Sequence, residues 1–366
     1  MVPTVVDKPA VHARSAEEPR GACKVCAIEP AGHADWDAYV EAHPGGTLFH
    51  MSSWMEAVQA TFGHQTLYLC ASRRARCCGV LPLCCVRSRL GGTMLVSVPY
   101  AVYGGPLVDD AEAAQTLLDA AREWMARLGA DWLDLRTVSA IHADLPVDTR
   151  YVTFRRELPQ RPGDVLGWLP RKARAAARNA RDKHRLTAEF DDSHLHEVWH
   201  LYCRSMRRLA SLNYPYRFFK ELIERTPGRH LVSLIHHEGA PVAGLVTFLH
   251  RGTALPYFVG ADDRRSVPGL HNFIYLTAME RAVEFGCCVF DFGRSRHDNT
   301  GCVDFKRFQG FEPTVMEYQR LAAPGRPAPD LTPTNPRFRL ARRIWPRLPL
   351  TLTRPLGAWV SRHVPG

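Results

Sequence analysis

One passage of the first half of the chain returns in the second. Gly129-Ala130-Asp131-Trp132-Leu133-Asp134 is matched in spacing by Gly286-Cys287-Cys288-Val289-Phe290-Asp291. Each follows a long stretch of helical periodicity, so the glycine reads as a left-handed helix stop and the apolar run as a short strand carrying an aspartate near its end. Two more echoes precede it in the same order: Gly79-Val80-Leu81 with Gly244-Leu245-Val246, and Pro99-Tyr100-Ala101-Val102 with Pro256-Tyr257-Phe258-Val259. Three matches in one order point to an internal duplication. The competing explanation is that helix, glycine, strand recurs in all α/β proteins. At 366 residues the chain also exceeds what one hydrophobic core serves, so two α/β units are expected.

Local patterns order the first unit. A strand is expected over 22–28, a helix over 35–42 begun by a capping Asp35, and a second helix over 52–62. Strands follow at 66–71, 78–86 and 93–98, then a helix over 111–128 with Leu117, Ala121, Trp124, Met125 and Leu128 on one face, and a strand at 132–135. The organisation predicted is a flexible, untargeted start over 1–21, a first domain over 22–160, a second over 161–330, and a basic Pro/Arg-rich tail over 331–366 without an acidic residue. No apolar run approaches the roughly 18 residues that span a bilayer. Eleven cysteines, several adjacent in apolar runs, suit a reducing cytoplasm, with peripheral contact at the inner membrane through the tail. Cys23 and Cys26 lack a second pair at zinc spacing.

Net charge is +10, which favours an anionic partner. The most legible basic feature is a helix expected within 169–185, where Arg171, Arg174, Arg178, Arg181 and Arg185 recur every three or four residues and Ala173, Ala176 and Ala180 lie opposite. Such a stripe suits the phosphates of an RNA backbone or of a small molecule such as a nucleotide diphosphate, and DNA is not expected; a merely solvated face is the alternative. His196-Glu197-Val198-Trp199-His200 satisfies H-E-x-x-H. Cys203 and Met206 stand where the continuation needs glycine and histidine, so no metal site is expected.

A third constellation joins Phe290-Asp291-Phe292-Gly293-Arg294-Ser295 to Gly301-Cys302-Val303-Asp304-Phe305-Lys306, the latter read as loop and strand start. Acyl transfer to an amine needs a proton acceptor and a cation or N–H for the oxyanion. Asp291, Lys306 and Arg294 supply those types, and a structural salt-bridge network would supply them equally.

These residues resemble FemAB-related proteins. The resemblance rests on Phe49-His50, Trp54, Phe62-Gly63-His64, Gly79 to Leu83, Ser88-Arg89-Leu90 and Pro99 to Gly105, on Leu169-Pro170-Arg171-Lys172, on Ser205 to Leu209, and on the third constellation. The tail, with Asn335-Pro336-Arg337-Phe338, Trp345 and Arg347 to Leu350, is similar to family members associated with exosortase, PEP-CTERM and exopolysaccharide loci. The resemblance implies two tandem acetyltransferase-like (GNAT-type) domains, an α/β (α+β) fold in which each half is a mixed, mostly antiparallel sheet flanked by helices. It implies N-acyl or aminoacyl transfer to an amine of a cell-envelope or exopolysaccharide precursor, with no tightly bound cofactor and with acyl-CoA or aminoacyl-tRNA as donor. Acetylation of a small amine, or a non-catalytic anion-binding scaffold, are the alternatives. It also implies substrate contacts at Tyr100, Tyr103, Gly104, Ser295 and Phe305, and a charge-stabilising role for Lys306. In place of a glycine-rich pyrophosphate loop stands Gly260-Ala261-Asp262-Asp263-Arg264-Arg265, whose acidic pair should repel phosphate.

Overall fold

The computed structural model describes residues 22–265, 267–326 and 335–366; the start expected to be flexible, 1–21, lies outside them. The first half runs β1 (Lys24–Ala27), α1 (His33–Ala42), α2 (Ser52–Phe62), β2 (Gln65–Arg73), β3 (Arg76–Ser88), β4 (Gly92–Val96), β5 (Leu107–Val108), α3 (Ala111–Leu128), β6 (Trp132–Leu135) and β7 (Val147–Glu157). The second runs α4 (Val165–Trp168), α5 (Arg171–Asp182), β8 (Thr187–Phe190), α6 (Leu195–Arg208), α7 (Tyr216–Arg225), β9 (His230–His237), β10 (Ala240–His250), β11 (Thr253–Ala261), α8 (Leu270–Glu284), β12 (Val289–Asp291), β13 (Ser295–Arg296), α9 (Thr300–Phe308) and β14 (Pro313–Ala322). The tail forms α10 (Arg339–Ile344) and α11 (Leu350–Ser361).

Most elements follow from local signals. The Asp110 carboxylate accepts from Ala113 N at 2.9 Å to start α3, and Gly129, at φ 61°, ends it. Gly286, at φ 78°, does the same after α8. β6 then runs parallel to β4, and β12 parallel to β11, so the first echo is a true structural repeat. The other two echoes are out of register. A Cβ on Gly79 would meet Leu117 of α3, whereas one on Gly244 would meet Val198 of α6, on the opposite face of the equivalent strand. Pro99 lies beyond β4, but Pro256 lies inside β11.

Three local expectations are corrected. Asp35 sits inside the first turn of α1 and does not cap it; Asp37 instead accepts from Ser52 N at 2.7 Å and Ser52 Oγ at 2.6 Å, tying α1 to the start of α2. On α5 the buried face is Ala173, Ala177 and Ala180, with Ala176 half-buried, and Arg185 lies past the helix end at φ 52°. Lys306 stands on helix α9 and not at a strand start: the alternation Val303-Asp304-Phe305-Lys306 spans only four residues and ends at Arg307, too short to hold the run extended.

The strands form one sheet in the order β1-β2-β3-β4-β6-β14-β7-β12-β11-β10-β9-β8. β14, last in the second half, pairs with β6 of the first, and β7 of the first pairs with β12 of the second. Each half thus borders a strand from the other. An aromatic core joins them: Trp54 meets Phe218, Phe248 and Tyr257 edge-on at 6.0, 5.5 and 5.4 Å. Such T-shaped contacts add about 0.5–1.5 kcal/mol each beyond burial.

The tail is part of this body. Arg136, 1% exposed, donates to Ala101 O at 2.8 Å, Pro365 O at 3.0 Å and Gly366 O at 2.6 Å. Tyr100 N donates to Pro365 O at 2.7 Å and Ser88 Oγ to His363 O at 2.7 Å. Without the tail, a buried guanidinium would lose two carbonyl partners.

Candidate functional site

Parallel strands β11 and β12 pair only as far as Ala254 and Phe290 and then diverge. Beyond that point β11 carries a bulge: Thr247 of β10 pairs with Pro256 and Val246 with Phe258, leaving Tyr257 without a register partner. Proline cannot donate to a ladder, so Pro256 sits naturally at such an irregularity. Divergence and bulge open a cleft of about 280 Å³ lined by Leu255 to Val259, Phe292, Gly293 and Arg294, with Tyr202, Met206, Tyr214 and Val102 closing it. The bulged Tyr257 hydroxyl donates to Tyr100 O, and Tyr318 donates to Val102 O, so both halves brace the cleft. Arg294 donates to Tyr318 Oη at 2.9 Å and lies over the Tyr151 ring at 4.7 Å, a cation held in an aromatic wall.

Leu255 also lines a second cavity, of about 290 Å³, bounded by residues 44–49 of the first half and by Tyr103, Arg155, His250, Arg251, Thr253 and Asp291. Asp291 is 1% exposed. Its Oδ2 accepts from Tyr103 Oη at 2.8 Å and lies 3.6 Å from Arg155 Nε; its Oδ1 accepts from Gly293 N at 2.8 Å. The Tyr103 hydroxyl is also 2.6 Å from Thr153 Oγ1. Burial raises the Asp291 pKa above the usual carboxylate range, with Arg155 pulling the other way. Burial pushes His250 down to about 4, which leaves a neutral imidazole in the same wall.

The expected site residues therefore separate into groups. Asp291 and Tyr103 meet in one cavity and Arg294 lines the other. Lys306 lines neither: its ammonium donates to Phe292 O at 2.9 Å and Gly293 O at 3.1 Å, and burial pushes its pKa down to about 8. Phe305 packs on Tyr275 at 5.5 Å, and Ser295 pairs with Val152 in the sheet. Tyr100 is a tail-docking residue whose hydroxyl bonds His64 Nε2 at 2.8 Å and Ser361 O at 3.2 Å. Gly104, at φ 140°, has no room for a Cβ beside Val98. Arg171, Arg174 and Arg178 lie on α5, away from both cavities' linings; Arg174 Nη1 donates to Gly167 O at 3.0 Å.

Asp262 is also corrected: it turns inward, 7% exposed, and pairs with Arg204 at 3.0 Å, so it does not confront a phosphate. His200 Nδ1 faces the Arg354 guanidinium, a poor neighbour for a metal cation, and among the described residues no three ligand side chains gather at metal-binding distance. Arg155, Thr153, Leu255 and the bulged Tyr257 are site residues that sequence reasoning does not single out. A proline inside a β-pattern is the one available signal, at Pro256.

Residues 169–307 match the family model described as Acetyltransferase (GNAT) domain. No curated protein matches the chain. Among solved structures, FemX is similar at 16% identity with a TM-score of 0.64, over 87% of this chain and 100% of that one. The tandem GNAT protein from the clavulanic acid biosynthesis pathway aligns at 13% identity and a TM-score of 0.52, over 82% and 98%. L-PGS from Bacillus licheniformis aligns at 12% and 0.52, over 90% and 100%. The fold is thus the expected tandem GNAT-like α/β arrangement of mixed sheets flanked by helices, and the matched segment contains the β11–β12 cleft.

Proposed function

We propose that the second half transfers an acyl or aminoacyl group to an amine, with the donor in the β11–β12 cleft and the acceptor in the cavity over Asp291. The observation that carries this is the divergence of two parallel strands at the wall between an aromatic, cationic cleft and a cavity holding a buried carboxylate of raised pKa. Leu255, common to both linings, marks where acyl carbon and amine would meet. Asp291 takes the proton released as the amine attacks, directly or through the Tyr103 hydroxyl, its raised pKa making it a better base than an exposed carboxylate; as the acyl C–S or C–O bond of the donor breaks, that proton leaves with the departing thiolate or ribose oxygen. Arg294, in the lining of the cleft, is the cation that meets charge developing on the acyl oxygen. Thr153 and Arg155 position the base, and Lys306 holds the Phe292–Gly293 carbonyls that shape the cleft exit.

The acceptor class we favour is an amine on a cell-envelope or exopolysaccharide precursor, and the donor acyl-CoA or aminoacyl-tRNA. FemX and L-PGS, the structural neighbours, and the exposed Arg171 and Arg178 on α5, suited to donor or acceptor phosphate, support that reading. The test is transfer of radiolabel from a panel of acyl-CoAs and charged tRNAs to amine acceptors by purified protein. Label transfer lost in Asp291→Asn is expected; failure of every donor both to bind and to transfer would sink the proposal.

A further inference from the structure

Helix α11 has its polarity reversed. Its inward positions, one turn apart, are the small residues Thr353, Gly357 and Ser361, while Leu352, Leu356 and Trp359 face outward at 49, 45 and 53% exposure. The orientation is fixed by close contact. A Cβ on Gly357 would lie 2.2 Å from Asn213 Oδ1, and Asn213 Nδ2 donates to Arg354 O at 3.1 Å. The helix cannot roll to hide its apolar stripe. Helix α10 extends the same character, with Leu340 and Ile344 at 68 and 43% exposure. Large apolar side chains grouped on a surface mark a contact site.

The charge around the stripe selects the partner. Trp359 borders a hollow of about 460 Å³ lined by Arg87, Arg89, Arg362 and His363, with Asp131 also in its lining and bound to Thr93 N at 2.8 Å. The Arg89 guanidinium lies 5.8 Å from the Trp359 ring. Arg339, Arg343 and Arg347 are exposed on the tail, and residues 335–366 include no Asp or Glu. A second copy of this face would bring like charges together, and a nucleic acid would leave the leucines uncovered. An anionic bilayer satisfies both features: apolar side chains enter the acyl boundary while arginines reach phosphates.

We propose that the α10–α11 face docks on an anionic phospholipid bilayer, with Leu352, Leu356 and Trp359 inserted and Arg87, Arg89 and Arg362 around a lipid phosphate. Sedimentation of the full chain with phosphatidylglycerol–phosphatidylcholine vesicles, against phosphatidylcholine alone, tests it. Binding is expected only to the anionic vesicles and is released by high salt. It is lost in the triple variant Leu352→Ser/Leu356→Ser/Trp359→Ser, whose exposed positions leave the melting curve in place. Arg87→Gln/Arg89→Gln should weaken binding roughly fivefold per charge, the equivalent of about 1 kcal/mol each. The proposal is overturned if the chain stays in the supernatant, or if the serine variant binds like the parent. It is equally overturned if serine substitution abolishes a dimer in place of vesicle binding, or if the face binds tRNA independently of the leucines.

Discussion

Replacing Asp291 by asparagine separates the carboxylate's chemistry from its structural contacts. The carboxylate accepts from Gly293 N and Tyr103 Oη, both at 2.8 Å. The amide oxygen can keep the Gly293 bond, and the amide nitrogen can donate to Tyr103 if that hydroxyl turns its proton to Thr153, 2.6 Å away. The fold therefore survives. Stability should follow the raised pKa. A carboxyl whose folded pKa exceeds its unfolded value contributes stability at low pH that is lost as pH rises through the folded pKa. Relative to the parent, Asp291→Asn should gain melting temperature from about pH 4 upward and level off once the parent's carboxyl is ionised. Loss of a general base costs about 10² to 10⁴ in rate, or about 2.7–5.4 kcal/mol of barrier. Calorimetry across pH and single-turnover transfer measure the two halves of this prediction. A variant that transfers within a few-fold of the parent would remove Asp291 from the chemistry, and one that loses stability relative to the parent as pH rises would refute the burial argument.

Removing residues 364–366 should lower stability by about 3–5 kcal/mol, because buried Arg136 loses both tail carbonyls; spread over a chain of this size, that is a fall of about 5 °C in calorimetry. Lys306→Met should cost about 1–3 kcal/mol by leaving the Phe292 and Gly293 carbonyls unpaired. Because the folded lysine titrates near 8, below its unfolded value, the parent's advantage over Lys306→Met in denaturant melts should grow as pH rises from about 8 to 10. Charge reversal at Arg174 and Arg178 should weaken a phosphate-bearing substrate and flatten its salt dependence by about one unit of slope for each phosphate no longer neutralised, with stability within about half a kcal/mol of the parent; unchanged binding at every salt concentration would make the stripe an ordinary solvated face.

Legibility followed the range of the interactions. The bounds of α2, α3 and β6 match their local signals, since a helix stop or a short apolar run acts within a few residues. Asp291 and Arg294 stood out because a carboxylate and a cation flank a strand end. Their partners did not, since Thr153 and Arg155 reach Asp291 through the β7–β12 pairing and Tyr103 comes from the segment between β4 and β5, far away in sequence. Nothing near residue 136 in sequence announces that its guanidinium will hold residues 365 and 366. The tail's basic composition was legible, but its reversed helix was not, because only the packed structure shows which side of α11 faces in.

The duplicated carboxylates show why one half is the better candidate for chemistry. Asp134 stands one residue before the end of β6 and Asp291 at the end of β12, and both are buried. In the first half, however, the strands stay together longer: Val96 pairs with Asp134, Ser97 N donates to Asp134 O at 2.8 Å, and Arg136 N donates to Ser97 Oγ at 2.7 Å. The second half has separated by the equivalent step. Asp134 is further held by Arg320 at 2.8 Å and Arg136 at 3.4 Å, and Arg136 in turn is occupied by the C-terminal carbonyls. Both oxygens of the Asp134 carboxylate are thus taken up by guanidiniums. Asp291 has a single arginine at 3.6 Å and an open cavity beside it. Of the two equivalent aspartates, Asp291 is the one that the strand divergence leaves beside a cavity.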